Sequence, residues 1–407
     1  MNMSRNLARC PYYGTCGGCQ LQHLPYDEQL SLKTKMVKES LAGEGLTGVE
    51  VKPTLGMEDP WFYRNKIQFP IRAQNNRLQM GYFKARTHEV VNIKECYIQD
   101  PYLTEIAGIA RKIMEERGLT AYDEKSGLGL LRHFIGRSGY QTGEMLLGIV
   151  VNGRGLPAGF TVADEIKKHE RLMHRLVGRH TDYAELDRPQ KPKIVGIVQN
   201  VNLTRGNTIL GVENTNLLGL SFLMEKLGRF KFKIGLNSFF QVNPKQAERL
   251  YNLVKRLAEL TGKEKVVDAY AGIGTIAFWL ADKAAEVVGI EENELAVKDA
   301  NRNIEMNKLT NVKMTAGEIE HQCPRRADVI ILDPPRAGCS PIALARVARA
   351  EPKTIIYVSC NPQTLARDLR LLVKEGYSLE AVQPIDMFPQ TDHVEAVAQL
   401  RRKAGAS

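Results

Sequence analysis

Residues 265–275 read Lys265-Val-Val-Asp-Ala-Tyr-Ala-Gly-Ile-Gly-Thr275. A short apolar run, a tight glycine turn and a helix start in direct succession predict a buried strand feeding a helix. Further on, VVGIEEN predicts a second strand ending at Glu291. VKMTA, DVIILDPP, TIIYVSC and YSLEAVQPIDMFP continue the series. Helical patterns over Pro244–Leu260, Ile276–Ala281 and Leu295–Met306 separate the early members. Repeated strand–helix alternation predicts an α/β fold, a mostly parallel, doubly wound, Rossmann-like sheet.

Upstream the character changes. Trp61–Cys96 alternates basic, aromatic and apolar residues, which predicts short antiparallel strands with a turn at Asn75-Asn76. LGLLRHFIGRS, EMLLGIVVN, KIVGIVQNVN and TILGVEN are further strand-like runs, and helices are expected over Tyr26–Leu41 and Pro101–Arg117. The chain's 407 residues exceed what one core usually serves. Two domains are therefore expected, a mixed α/β domain with antiparallel strands over 1–236 and the Rossmann-like domain over 237–407.

Composition narrows the class. With 43% apolar and 25% charged residues, global disorder is excluded. No apolar run is long enough to predict a membrane span. Met1–Arg9 is polar, so no secretory signal is expected and the protein should be cytoplasmic. A net charge of +10, dispersed along the chain, fits either a polyanionic partner such as nucleic acid or a solvated basic surface.

The glycine turn carries the first chemistry. Gly272 and Gly274 let the backbone approach a ligand. Asp268 can meet a cationic amino group, and Glu291 stands where an acidic residue commonly binds a ribose diol. The pattern D-x-Y-x-G-x-G is not the pyrophosphate fingerprint G-x-G-x-x-G. It suits S-adenosylmethionine, which has no phosphate, although a glycine turn alone is equally an unliganded one.

Open parallel sheets bind ligands at the carboxyl ends of their strands. Asp333-Pro-Pro-Arg336 and Ser359-Cys-Asn-Pro362 end successive strands and should lie side by side. An aromatic residue after D-P-P would suit methylation of an exocyclic amine, but Arg336 stands there. A neighbouring thiol suits a different reaction. Carbon 5 of uracil is a poor nucleophile until a thiolate adds to carbon 6, and a base must then remove the carbon-5 proton. Cys360 is the candidate nucleophile. Glu395, in Phe388-Pro-Gln-Thr-Asp-His-Val-Glu395, is the candidate base. Taken singly, a buried structural thiol and a solvated carboxylate explain the two residues as well.

The chain resembles the RNA 5-methyluridine (uracil-5-) methyltransferases, which modify ribosomal and transfer RNA. The resemblance rests on CPYYGTCGGCQLQHL with Cys96, YRNKIQF, LRHFIGR, QNVN, NSFFQVNP, DAYAGIGT, DPPRAGC, SCNPQTLARDL and DMFPQTDHVE, and it spans nearly the whole chain. It implies Cys360 as nucleophile and Glu395 as base. Gln241, Tyr270, Glu291 and Asp333 would line the methyl donor and target base. It also implies that Cys10, Cys16, Cys19 and Cys96 bind a 4Fe-4S cluster. The spacing C-x5-C-x2-C plus one remote thiol suits such a site, whereas structural zinc usually shows two C-x2-C pairs. Cys323 and Cys339 are read as ordinary free thiols.

The resemblance is to the 23S ribosomal RNA type. Only nine residues precede Cys10, so the N-terminal β-barrel of many members is expected to be absent. The first domain would then contact the RNA. Arg64, Lys66, Lys84, Arg86, Arg132 and Arg137 are candidates, with Phe62, Tyr63, Tyr82 and Phe83 as stacking rings. His88, His133 and His393 are read as structural or RNA-contacting. The helix near 26–41 is expected to pack on the catalytic domain, and a monomer is expected. The rivals are an amino-directed methyltransferase acting through DPPR, a non-catalytic iron–sulfur RNA-binding protein, and a cytosine carbon-5 enzyme, whose Pro-Cys motif is missing. Ribosomal RNA is favoured over the T-loop of transfer RNA as substrate.

Overall fold

A computed structural model of the chain describes residues 8–180, 183 and 188–404. Most of the Met1–Arg9 stretch lies outside the described residues. The chain divides into two units. One comprises the described residues through His23 with Pro60–Asn237, and the other comprises Leu24–Asp59 with the residues from Ser238 onward.

The second unit is built on an eight-stranded sheet. Its order is Glu50–Val51, Tyr377–Ile385, Glu395–Arg402, Thr354–Ser359, Val329–Leu332, Lys265–Ala269, Glu286–Glu291, Val312–Ala316. All pairings are parallel except those of Glu395–Arg402, which runs antiparallel to both neighbours. Chain order reverses beside Lys265–Ala269, and that reversal is where such sheets open a ligand crevice. The inner strands are apolar on both faces, as a helix-covered parallel sheet requires.

The unit also takes in an early piece of chain. Helix Tyr26–Gly43 buries Gln29, Lys33, Val37 and Leu41, a stripe at four-residue spacing. Val37 and Leu41 join the apolar core of this unit, and the helix packs along Pro362–Lys374. The segment after it supplies Glu50–Val51 to the sheet edge, pairing with Ala381 and Val382.

The first unit has a seven-stranded sheet in the order Val90–Asn92, Arg77–Phe83, Lys66–Gln74, Leu131–Ser138, Glu144–Val151, Lys193–Val201, Glu213–Gly219. Lys66–Gln74 and Arg77–Phe83 form a hairpin whose turn residues Asn75 and Asn76 take φ of 52° and 57°. Only Glu144–Val151 and Lys193–Val201 pair in parallel. Parallel strands need a long crossover, and this one carries helices Gly159–Lys168 and Glu170–Val177. Those helices and the hairpin Phe222–Leu227/Phe230–Gly235 are not evident in the sequence reading. The TILGVEN run differs from expectation, because the strand there begins only at Glu213.

Candidate active site

Asp268, near the end of its strand, accepts a hydrogen bond at Oδ2 from the Ala277 amide at 2.8 Å. This ties the strand to the first turn of helix Thr275–Leu280. The turn between them needs left-handed backbone. Tyr270 has φ of 63° and Gly274 has φ of 86°, where an added Cβ would lie 2.8 Å from the Phe278 ring. Glu291 holds the same turn from the next strand, accepting from the Gly272 amide at 2.9 Å and from the Asn293 amide at 2.9 Å.

Across the chain reversal stand the other two strand ends. The loop Asp333–Arg336 is held by the start of helix Pro362–Lys374, where Asn361 Nδ2 donates to the Arg336 carbonyl at 3.2 Å and Thr364 Oγ1 donates to it at 3.3 Å. Cys360 lies between strand Thr354–Ser359 and this helix. Ser359 pairs with Ala396 in the antiparallel register. That pair brings the chain leaving one strand at Cys360 close to the start of the other at Glu395.

These residues share one cavity of about 400 Å³. It is lined by Gln241, Asp268, Tyr270, Glu291, Asp333, Arg336, Cys360 and Glu395, together with Phe239, Phe240 and Tyr251. Every residue read from the sequence as donor- or base-binding therefore reaches it. Tyr251, whose hydroxyl donates to Thr275 Oγ1 at 3.1 Å, was not readable in advance, because it sits as an ordinary apolar position on helix Pro244–Ala258.

The cavity gathers more carboxylates than its one guanidinium, Arg336, can balance. Burial and the Asp333 charge push Asp268 up to about 8. The same two causes push Glu395 up to about 8, and burial pushes Asp333 up to about 7. Glu395 is 5% exposed, and its Oε2 and Asp268 Oδ1 have no hydrogen-bond partner among the described residues. Buried acceptors left open in this way suit a ligand that brings donors and positive charge. Burial also raises the Cys360 thiol, as do the charges of Glu395 and Asp333, while the Arg336 guanidinium opposes them.

Comparison with known proteins gives this arrangement a family. The tRNA (uracil-5-)-methyltransferase family model matches residues 223–403. A Bacillus cereus protein described as an uncharacterized RNA methyltransferase is 41% identical over 404 residues, 98% of this chain and 84% of its own length. One from Clostridium acetobutylicum, described in the same words, is 40% identical over 402 residues, 97% of this chain and 83% of its own. The chain belongs to the RNA uracil-5-methyltransferase family. The Pyrococcus abyssi tRNA (uracil-54, C5)-methyltransferase, solved with S-adenosyl-L-homocysteine, superposes with a TM-score of 0.74 at 30% identity, covering 95% of this chain and 86% of that one.

An RNA uracil-5-methyltransferase must hold a polyanion, and the first unit only partly follows the expected contacts. Lys84 and Arg86 are exposed, as a phosphate contact needs. Arg132 and Arg137 are not, at 2% and 4% exposure. Arg132 donates to the Asn202 and Thr204 carbonyls at 2.8 and 2.7 Å, so it is a structural brace. Tyr63 is buried, and Tyr82 stacks edge-on against Phe69 with its hydroxyl taken by Gln99, so neither offers a free face. His133 is half-buried, and its desolvation drives it down to about 4. A basic groove went unread in the sequence. Lys167, Lys168, Arg171, His174, Lys191 and Lys193 line a space of about 550 Å³, with Glu170 the one acid among them.

Cys10, Cys16, Cys19 and Cys96 line a single pocket in the same unit, with Tyr12, Tyr13, Gln22 and Tyr82 around them. The Gly18 amide donates to Cys16 Sγ at 3.4 Å, and the Gly17 amide to the Phe83 carbonyl at 3.0 Å, fixing the loop to the sheet. Among the described residues no three Cys, His, Asp or Glu side chains are set to grip a single metal ion. A lone zinc would draw its thiolates to about 2.3 Å from one centre. A polynuclear cluster takes one thiolate per iron and sets them farther apart. Cys323 and Cys339 lie buried in the core of the other unit.

Proposed function

We propose that this chain methylates carbon 5 of a uridine in RNA through a covalent Cys360–uracil adduct, with S-adenosylmethionine as methyl donor. The observation that carries the reading is the meeting of Cys360 and Glu395 in one cavity, beside the Ser359–Ala396 pair. The donor supplies an electrophilic methyl group, and its ammonium and sulfonium charges suit the surplus of carboxylates. Asp268 and Asp333 would hold those charges, with Glu291 and Tyr270 beside the nucleoside and Gln241 toward the target base.

The Cys360 thiolate adds to carbon 6, forming a C–S bond and moving negative charge onto carbon 5 and the carbonyl oxygen. Carbon 5 then takes the methyl group, and the donor leaves as a neutral thioether. Glu395 removes the proton from carbon 5. The released electron pair re-forms the 5,6 double bond and expels the Cys360 thiolate. Phe239, 67% exposed at the rim, offers a ring face to an unstacked base.

We further infer that Cys10, Cys16, Cys19 and Cys96 hold a 4Fe-4S cluster. Four thiols around one pocket and an amide donor to Cys16 Sγ support this. The cluster would cross-link the N-terminal loop to the segment bearing Cys96. Methyl transfer involves no net redox change, so its role there is structural or in RNA binding.

Ribosomal RNA is the substrate class favoured by the sequence resemblance. A transfer RNA is the second reading, favoured by the descriptions of the family model and of the Pyrococcus abyssi neighbour. The deciding experiment incubates total RNA with anaerobically purified protein and labelled S-adenosylmethionine, beside Cys360→Ala. Label in 5-methyluridine from the native chain alone is expected, and fragment mapping then names the RNA. Label on an exocyclic amine, or label surviving the substitution, overturns the covalent reading.

A further inference from the structure

The turn that delivers Glu395 is gripped by a helix from the far end of the sequence. Strand Tyr377–Ile385 ends where Ile385 pairs with Glu395, so residues 386–394 form the loop that leads into the candidate base. Lys33, on helix Tyr26–Gly43, reaches into that loop. Its Nζ donates to Asp386 Oδ1 at 2.6 Å and to the Phe388 carbonyl at 3.1 Å. Both side chains of the ion pair are 0% exposed. Tyr26 donates to the other Asp386 oxygen at 2.9 Å. One turn from Lys33, Gln29 pairs with Gln390, donating to its side-chain oxygen at 3.0 Å and accepting from its backbone amide at 3.1 Å. Gln390 has φ of 71°, a conformation a glutamine holds only when its neighbours determine it.

A buried ion pair is poor value as a stabiliser, because well-packed apolar residues usually do as well or better. What apolar residues lack is direction. A lysine ammonium can bind the Asp386 carboxylate and the Phe388 carbonyl at once, tying the Asp386 side chain to the peptide plane that follows Phe388. Phe388 O also accepts from Thr391 Oγ1 at 2.7 Å, which closes the turn on itself. From the other flank, Asn243 donates to the Met387 carbonyl at 3.0 Å and Gln246 to the Asp386 carbonyl at 2.9 Å.

We propose that Lys33 and Gln29 are positioning residues for Glu395, holding the 386–394 loop so that the carboxylate faces carbon 5 of the uracil–Cys360 adduct. The inference rests on the reading of Cys360 and Glu395 given above. It makes the removal of the carbon-5 proton the step most sensitive to this helix, with thiolate addition and methyl transfer less so.

The test uses the full chain with two RNA substrates, ordinary uridine RNA and RNA carrying 5-fluorouridine, which a base cannot deprotonate at carbon 5. The variants are Lys33→Met, Gln29→Ala, and the paired Lys33→Met/Asp386→Leu, which leaves no buried charge if the single change fails to fold. Each should trap on 5-fluorouridine RNA at a rate within about threefold of native. On ordinary RNA each should release product at least tenfold more slowly and accumulate a denaturation-stable protein–RNA adduct, with Lys33→Arg closer to native. Native release rates in Gln29→Ala and in the paired variant overturn the proposal. So does a parallel loss of trapping and release, which marks a general packing role. Failure of the native chain to trap 5-fluorouridine RNA at all instead defeats the covalent reading of the site.

Discussion

Cys360 and Glu395 line one cavity, each next in sequence to a member of the Ser359–Ala396 pair that ends the antiparallel register of their strands. A flat pyrimidine ring bonded to the thiol would lie in the cavity that also holds the carboxylate. Substituting Glu395→Gln should therefore leave addition and methyl transfer intact while lowering turnover by about 10²–10⁴-fold. Denaturing gels should show methylated RNA attached to the protein. Free methylated RNA at the native rate would assign proton removal to another group.

The carboxyl cluster makes a pH prediction. Asp268, Asp333 and Glu395 sit at about 8, 7 and 8, against ordinary values of 3.8, 3.8 and 4.5. Each binds its proton more tightly folded than unfolded. That preference stabilises the fold fully below the ordinary values and is lost as pH rises through the folded ones. Thermal stability of the ligand-free protein should fall between about pH 5 and 8. A bound cation favours the ionised carboxylates, so S-adenosylmethionine should flatten the fall, bind more tightly as pH rises and release protons on binding. Calorimetry in buffers of different ionisation heat measures that release, and zero protons would contradict the account.

Asp268→Asn separates charge from shape. The amide oxygen can still accept from the Ala277 amide, while the orphaned oxygen becomes a donor. The ligand-free protein should gain about 2–4 °C at neutral pH if the relief is near 1 kcal/mol. Affinity for S-adenosylmethionine should fall tenfold or more, as read by titration calorimetry. Unchanged affinity would remove Asp268 from the donor site.

Much of this arrangement was legible because strand ends in a parallel sheet are marked in the sequence. Lys265–Thr275, Asp333–Arg336 and Ser359–Pro362 each join an apolar run to a turn, and all three turns reach one cavity. The pairing of Ser359 with Ala396, which brings Cys360 and Glu395 to one end of neighbouring strands, was not legible. It depends on Glu395–Arg402 inserting antiparallel between two strands that precede it in the chain, and periodicity carries no information on strand order. Lys33 and Gln29 were opaque for a related reason, since a polar residue on a helix face reads as solvated until its remote partner is known. The opposite error befell Arg132 and Arg137, where alternation on a strand does not tell a water-facing cation from one braced against carbonyls.

The basic groove predicts a salt signature. Charge reversal of Arg171, Lys191 and Lys193 should weaken RNA binding across unrelated sequences without altering donor affinity. If all three meet phosphates, the slope of log affinity against log salt should shrink by about 2. An unchanged slope would return these residues to the solvated surface.

The cysteine pocket predicts a composition. Protein purified without oxygen should carry about four irons and matching sulfide per chain. Cys96→Ser should lower both and loosen the N-terminal loop, seen as faster proteolysis near Cys16. Native protein with one zinc and no sulfide would overturn the cluster.

Lys33 and Asp386 are 353 positions apart. At about 5–20 residues per second, a ribosome makes the lysine roughly 20–70 seconds before the aspartate. For most of that interval the helix has left the ribosome while the sheet it will cover is incomplete. A leucine at position 33 would leave a longer greasy stripe for chaperones and neighbouring chains to seize. The ammonium keeps that face hydrated until its carboxylate emerges, so the same charge that later locks the loop first protects an unfinished chain.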